Sequence, residues 1–219
     1  MKRKLSFLLV LFLVVSVGTA AAKKHKKSDA QSGKPKFDYY LLSLSWAPNY
    51  CAGHPSDHSS ECKVGGHVAF VLHGLWPQSA KGAPPMSCAP ARPVASSIVT
   101  HMLQYMPSRG LIQHEWEKHG TCSGLSAADY FSKVEQAFQA VSVPDQYKQL
   151  SQSQKFDLDA LEQSFATANN APADAFRVSC HSGELVALEV SLDKALKYQS
   201  CTKTVKECPA GPVLMRPPK

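Results

Sequence analysis

Seven cysteines, Cys51, Cys62, Cys88, Cys122, Cys180, Cys201 and Cys208, follow an N-terminal stretch that reads as an export signal. That pairing constrains the fold more than any other feature. An exported chain meets an oxidising compartment, so its cysteines read as disulfides, and an odd number leaves one thiol over. None sits in a C-x-x-C pair, which sets a zinc module aside. Spacing alone leaves the connectivity open. The signal itself has Lys2, Arg3 and Lys4 as its basic start, an apolar run over residues 7–17 broken only by Ser16, and the small residues Thr19, Ala20, Ala21 and Ala22 as a cleavage site. Its roughly 18 residues fall short of the about 20 that span a bilayer, and no second apolar span of that length follows. The expectation is a cleaved signal peptide over 1–22, no membrane association afterwards, and a secreted or periplasmic protein.

The formal charge of +7 would suggest a nucleic-acid-binding surface, but nine of the cations precede Phe37. From position 37 onward there are 15 basic and 16 acidic residues, so the body is near neutral. Residues 23–36, rich in Lys, Ser, Gln and Gly, lack the apolar content to order themselves and read as a flexible basic tail.

The remaining residues, 37–219, read as one domain of the α+β class: a central antiparallel sheet with packed helices, stapled by disulfides. Residues 37–46 (FDYYLLSLSW) and 67–72 (HVAFVL) read as strands, with a polar loop over 51–66 between them. Four prolines mark 81–93 as loop. Helical spacing runs through Ile98, Met102 and Tyr105, through a stripe of Tyr130, Phe131, Val134, Ala137, Phe138 and Val141, and over 158–168 with Asp157 or Asp159 as cap. Residues 175–180 and 184–192 read as strands about a His181-Ser182-Gly183 turn. Strands and helices mix without regular alternation, which favours α+β over a doubly wound sheet.

Two segments concentrate reactive side chains: FVLHGLWPQ over 70–78 and HEWEKHGTC over 114–122. The first puts His73, Gly74 and Trp76 directly after an apolar strand, where site groups are commonly held. In the second, at about 100° per residue, His114, Glu115, Lys118 and His119 share one side of a short helix. A zinc site of the H-E-x-x-H kind requires ligands four apart; His114 and His119 are five apart, so that geometry fails. His54, His58 and His67 with Cys62 show no regular ligand spacing and lie in a Ser/Gly-rich loop. No metal and no cofactor are expected. General acid-base chemistry remains, with a His pair moving two protons and a nearby cation stabilising negative charge.

With these blocks, the chain resembles the ribonuclease T2 family of secreted, metal-independent endoribonucleases, from about Phe37 to Cys208. FVLHGLWPQ and HEWEKHGTC match the family's two active-site motifs, MPSRGLI over 106–112 resembles what leads into the second, and FDYYLLSLSWAPNYC over 37–51 resembles its first strand and cysteine. The resemblance implies His73 as general acid toward the leaving 5′-oxygen, His119 as general base on the 2′-hydroxyl, His114 on the phosphate, and Glu115 and Lys118 at the transition state. Trp76 would stack on a base, with Gln78 beside it in the substrate-binding set. Many members carry Asp at the position of Gln78, so base preference does not transfer. The implied reaction is transphosphorylation of single-stranded RNA to a 2′,3′-cyclic phosphate and then a 3′-phosphate, by a monomer with no inferable protein partner. The resemblance also implies pairing of Cys51 with Cys62, Cys88 with Cys122 and Cys180 with Cys208. Members with a fourth bridge place a cysteine near Ser191 or Leu192; its lack here orphans Cys201, unless Cys180 pairs with Cys201 instead. Two rival readings are a binding or toxin-like protein on the same fold and a metal-dependent hydrolase using His54, His58 or His67.

Overall fold

The computed structural model describes residues 36–201, 208 and 211–219. The expected signal peptide and all of the expected tail but Lys36 lie outside the described residues. Six strands, β1 (Tyr39–Trp46), β2 (Phe70–Gln78), β3 (Gln154–Phe156), β4 (Phe176–His181), β5 (Glu184–Leu192) and β6 (Val213–Met215), form one sheet. Around it lie α1 (Ala47–Gly53), α2 (Ser96–Met102), α3 (Arg109–Lys118), α4 (Ala127–Gln139), α5 (Asp145–Lys148) and α6 (Leu158–Ala168). The class is α+β.

β1 organises the sheet because its sequence is apolar on both faces. Tyr40, Leu42, Leu44 and Trp46 enter the main core, while Tyr39 and Leu41 on the other face are also buried. A strand buried on both sides belongs in the interior, and β1 pairs antiparallel with β2 on one side and β5 on the other. The order is β2-β1-β5-β6-β3, with β4 on β5. The central strands pair antiparallel as expected, and β6 joins β5 in parallel at Glu184 and Leu214, which makes the sheet mixed. About 20 residues separate β5 from β6, enough chain for the crossover that a parallel neighbour requires.

Helices cover the core face with the stripes that the spacing marks. Tyr130, Phe131, Val134 and Ala137 of α4 are buried, and α6 buries Leu161, Phe165 and Ala166 behind an N-cap in which Asp157 accepts from the Ala160 amide. Fully burying side chains of this size contributes about 1.5–3 kcal/mol each. The β4–β5 turn puts Ser182 and Gly183 at φ 51° and 78°, the left-handed pair that a two-residue hairpin demands.

Two expected boundaries move. The strand read at 67–72 begins at Phe70 and runs through Gln78, because His67 has φ 48° and donates its amide to the Lys219 carbonyl, outside any ladder. The region read as loop from Cys51 begins inside α1, whose Pro48 occupies a first-turn position where its missing N–H costs nothing. Asn49 of that helix donates to the Leu185 and Leu214 carbonyls and accepts from the Arg216 amide, fastening α1 to β5 and β6.

Disulfides join Cys51 to Cys62, Cys88 to Cys122 and Cys180 to Cys208, leaving Cys201 free. Burial is the first cause that pushes the Cys201 thiol up to about 11, and Ser191 reaches it with a hydrogen bond. Two units above the ordinary value of 9.0 mean about 100-fold less thiolate near pH 8, and the thiolate is the nucleophile. We expect iodoacetamide to modify Cys201 at least tenfold more slowly in the native protein than after urea unfolding without reductant. Peptide mapping that finds another thiol, or equal rates, refutes this placement.

Candidate active site

His73, Gly74 and Trp76 lie within β2, not in a loop after it. In a regular strand, residues 73 and 76 would point to opposite faces. The register shows how both reach one side: Ser43 opposes Gly74 and Leu44 opposes Leu72, so His73 is an extra residue, a β-bulge. Leu72 and Leu75, three apart, therefore both enter the core, and Gly74, Trp76 and Gln78 take the other face. The His73 ring is edge-on to Trp76, centroids 5.5 Å apart, and its Nδ1 lies 3.1 Å from Ser45 Oγ on β1.

α3 supplies the facing groups. It starts at Ser108, whose hydroxyl accepts from the Leu111 amide, and ends with His119 as C-cap. The Cys88–Cys122 bridge and hydrogen bonds from Ser87 N–H to the Lys118 carbonyl and from Cys88 N–H to Thr121 Oγ1 pin that end. Glu115 is 1% exposed. One carboxyl oxygen accepts from Trp76 Nε1 at 2.7 Å, and the other lies 3.5 Å from His73 Nε2. Glu115 fits only because position 74 has no side chain: a Cβ there would lie 2.0 Å from Glu115 Oε2. Gly120 plays the same part at the helix end, where a Cβ would lie 2.3 Å from Trp116 Cε3. His119 stacks on Trp76 with centroids 5.2 Å apart and planes at 29°.

The electrostatics divide the two imidazoles. Burial, the leading cause, lowers His119 to about 4; Lys118, His114 and His73 push the same way and Glu115 opposes them. His119 is therefore neutral near pH 7, able to accept a proton. The His73 side chain is 38% exposed and faces the Glu115 carboxyl. Two of the buried polar atoms without a partner among the described residues, Glu115 Oε1 and His119 Nδ1, belong to this cluster. Such unsatisfied groups concentrate where chemistry is done.

Of the residues that the sequence singles out, His73, Trp76, Glu115 and His119 are in mutual contact. His114 is exposed and Lys118 half-buried on the same helix, close enough for both to act electrostatically on His119. The expected single side of the helix is thus an inward pair and an outward pair. Gln78, expected in the substrate-binding set, is 6% exposed at the end of β2, opposite Tyr39. Trp76, expected as a base platform, gives one face to His119 and its N–H to Glu115. Ser45 and Tyr130, whose hydroxyl donates to the Leu75 carbonyl beneath the bulge, escaped sequence reasoning because a lone Ser or a helix-stripe Tyr carries no signal of long-range contact. Cys62 is bridged and so unavailable as a metal ligand with His54, His58 or His67. Among the described residues, no three His, Cys, Asp or Glu converge as ligands.

The model of the ribonuclease T2 family matches residues 37–206. A "Ribonuclease" of Aeromonas hydrophila is 42% identical over 119 residues, 54% of this chain and 53% of that protein. A "Probable ribonuclease" of Haemophilus influenzae is 37% identical over 131 residues, 53% of this chain and 47% of that protein. The chain thus matches about half the length of these curated relatives. Among solved structures, an RNase-related protein from Calystegia sepium superposes with TM-score 0.67 at 22% identity, over 84% of this chain and 98% of its own. Trichomaglin, described as a novel S-like ribonuclease, gives 0.68 at 24%, over 83% and 98%. At those identities the likeness establishes the fold.

The close approach of Glu115 to Gly74 yields a direct expectation. Gly74→Ala should cost about 1–3 kcal/mol, the range for forced overpacking, read from the urea midpoint at unchanged slope. Wild-type stability in this variant would mean that Glu115 is not seated against β2.

Proposed function

The chain belongs to the ribonuclease T2 family, and from that premise we propose that it is an exported endoribonuclease cutting RNA by transphosphorylation. The observation that carries the reading is the convergence of His73, Glu115 and His119 about Trp76. Export is supported by the apolar leader and the three bridges.

His119, neutral through burial, takes the proton of the 2′-hydroxyl as that oxygen attacks phosphorus. The bond from phosphorus to the 5′-oxygen breaks, and His73 delivers its proton to the departing oxygen. The products are a 2′,3′-cyclic phosphate and a free 5′-hydroxyl. In a second stage the roles reverse: His73 takes a proton from water, the water oxygen attacks phosphorus, and His119 returns a proton to the 2′-oxygen, leaving a 3′-phosphate. Lys118 and His114 meet the negative charge that builds on the phosphoryl oxygens, and a charge matched to the transition state acts on kcat. Glu115 faces His73 and fixes Trp76, so it positions the acid. The mechanism assigns no step to a metal or cofactor, and it requires the 2′-hydroxyl.

Incubating the protein with RNA and with single-stranded DNA, both in EDTA, should give cyclic and 3′-phosphate ends from RNA and no product from DNA. Loss of RNA cleavage in EDTA, or equal cutting of DNA, refutes the reading. His73→Ala and His119→Ala should each lose at least about 10²–10⁴-fold, the typical contribution of positioned proton transfer.

The pH profile provides a separate check. A base works unprotonated, so the acid limb of kcat/KM should lie near pH 4 and fall about tenfold per unit below it, following the free-enzyme His119. An acid limb with its midpoint near 6.5 that is abolished in His119→Ala would show that burial does not depress this imidazole.

A further inference from the structure

Against His73 opens a cavity of about 760 Å³, bounded by α1, the loop that Cys51–Cys62 closes, the start of α3 and the β4–β5 hairpin. Its volume is in the range of small-molecule sites. Two of the large side chains that the described residues leave open to water, Tyr50 (38% exposed) and Val186 (46%), line it from α1 and β5. The Tyr50 ring is held by stacking on His54, centroids 4.2 Å apart, and by its hydroxyl on Asp57 at 2.8 Å. An exposed, immobilised aromatic ring beside aliphatic wall is what a planar base requires.

Most polar groups on the wall are already engaged. Asp57 binds Tyr50 and the Ser59 amide, Asn49 is saturated by backbone, and Glu184 pairs with Arg216. The Glu61 carboxyl, half-buried, has only electrostatic neighbours. It sits beside Cys62 on the short segment that the disulfide fastens to α1, the helix that carries Tyr50.

We infer that Glu61, on the wall of this cavity, reads the nucleobase on the leaving side of the scissile phosphate as guanine. The assignment rests on the ribonuclease reading above: His73 protonates the 5′-oxygen, so whatever fills a cavity walled by His73 is attached to that oxygen. A carboxylate only accepts hydrogen bonds and offers two oxygens side by side. Guanine alone presents two adjacent N–H donors on its pairing edge, whereas adenine and cytosine pair a donor with an acceptor and uracil flanks one donor with acceptors. Burial first and then Asp57 raise Glu61, with His73 and His54 opposing them, to about 7 in all. His181 and Glu184 face the same space from β4 and β5. The protonated His73 that the first stage uses therefore favours the acceptor form of Glu61.

The test is the set of dinucleoside phosphates UpG, UpA, UpC and UpU, with kcat/KM measured for the wild-type protein and for Glu61→Gln. Wild type should favour UpG over UpA by roughly 5- to 150-fold, the span of discrimination by a bidentate pair, and Glu61→Gln should bring the ratio within threefold of one. A ratio on one preparation is indifferent to the fraction folded, so a destabilised variant still reports. Wild-type ratios within threefold of one, preference for another base, or preference for guanine that survives Glu61→Gln each overturn the proposal while leaving the reaction intact. No cleavage of any of the four overturns the ribonuclease reading on which it stands.

Discussion

The contact on which the site depends is the seating of the Glu115 carboxyl over the bare backbone of Gly74. It brings α3 to the edge strand closely enough for one side chain to reach both Trp76 and His73. A carboxyl that is 1% exposed has given up water on every side, and desolvation of that kind is costly unless donors replace it. Trp76 Nε1 supplies one such donor, and protonated His73 would supply a second. The fold commits heavily to this arrangement: a bulge turns His73 out of the core, Tyr130 holds the Leu75 carbonyl beneath it, and the Cys88–Cys122 bridge fixes the end of α3.

What the sequence reveals and what it conceals divide by the range of the interactions. α6 and β5 begin and end where local patterning and capping put them, because Asp157 and the alternation over 184–192 act within their own segments. β6 has only three residues and no local signal; its pairing depends on Asn49, 165 positions away from the Leu214 carbonyl that it binds. β2 is the instructive case. Gly74 and Pro77 read as the end of a strand, yet β2 is an edge strand, where a missing N–H can be tolerated. Without knowing that position, no reading of FVLHGLWPQ reveals that the strand continues or that His73 is a bulge.

The cysteines illustrate a similar boundary. Their odd number implies a free thiol from counting alone, but the identity of that thiol depends on tertiary packing. Cys201 lies beside Ser191, the very neighbourhood where the family resemblance puts the absent partner, and a hydroxyl there takes a hydrogen bond in place of a covalent one. The three remaining bridges are not spread evenly in effect. One closes the cavity wall, one holds the end of α3, and the third ties β4 to Cys208. Two of the three therefore rigidify surfaces that substrate would touch.

Placing the two imidazoles in unlike surroundings would give the proposed acid-base pair its direction. With equal exposure, two histidines would titrate together and neither would be reserved for giving or taking a proton. Here His119 loses solvent to the stacked Trp76 ring, and burial disfavours its charge more than Glu115 supports it. His73 keeps over a third of its side-chain surface in water and looks onto a carboxyl. Groups whose environments separate their proton affinities are the usual sign of assigned acid and base roles. The cause is the topology: the edge strand exposes His73, and the C-terminus of α3 folds His119 back under Trp76. The same backbone positions that leave His73 in water make it a wall of the neighbouring cavity, so the group that would release the 5′-oxygen is also the one that meets what that oxygen carries.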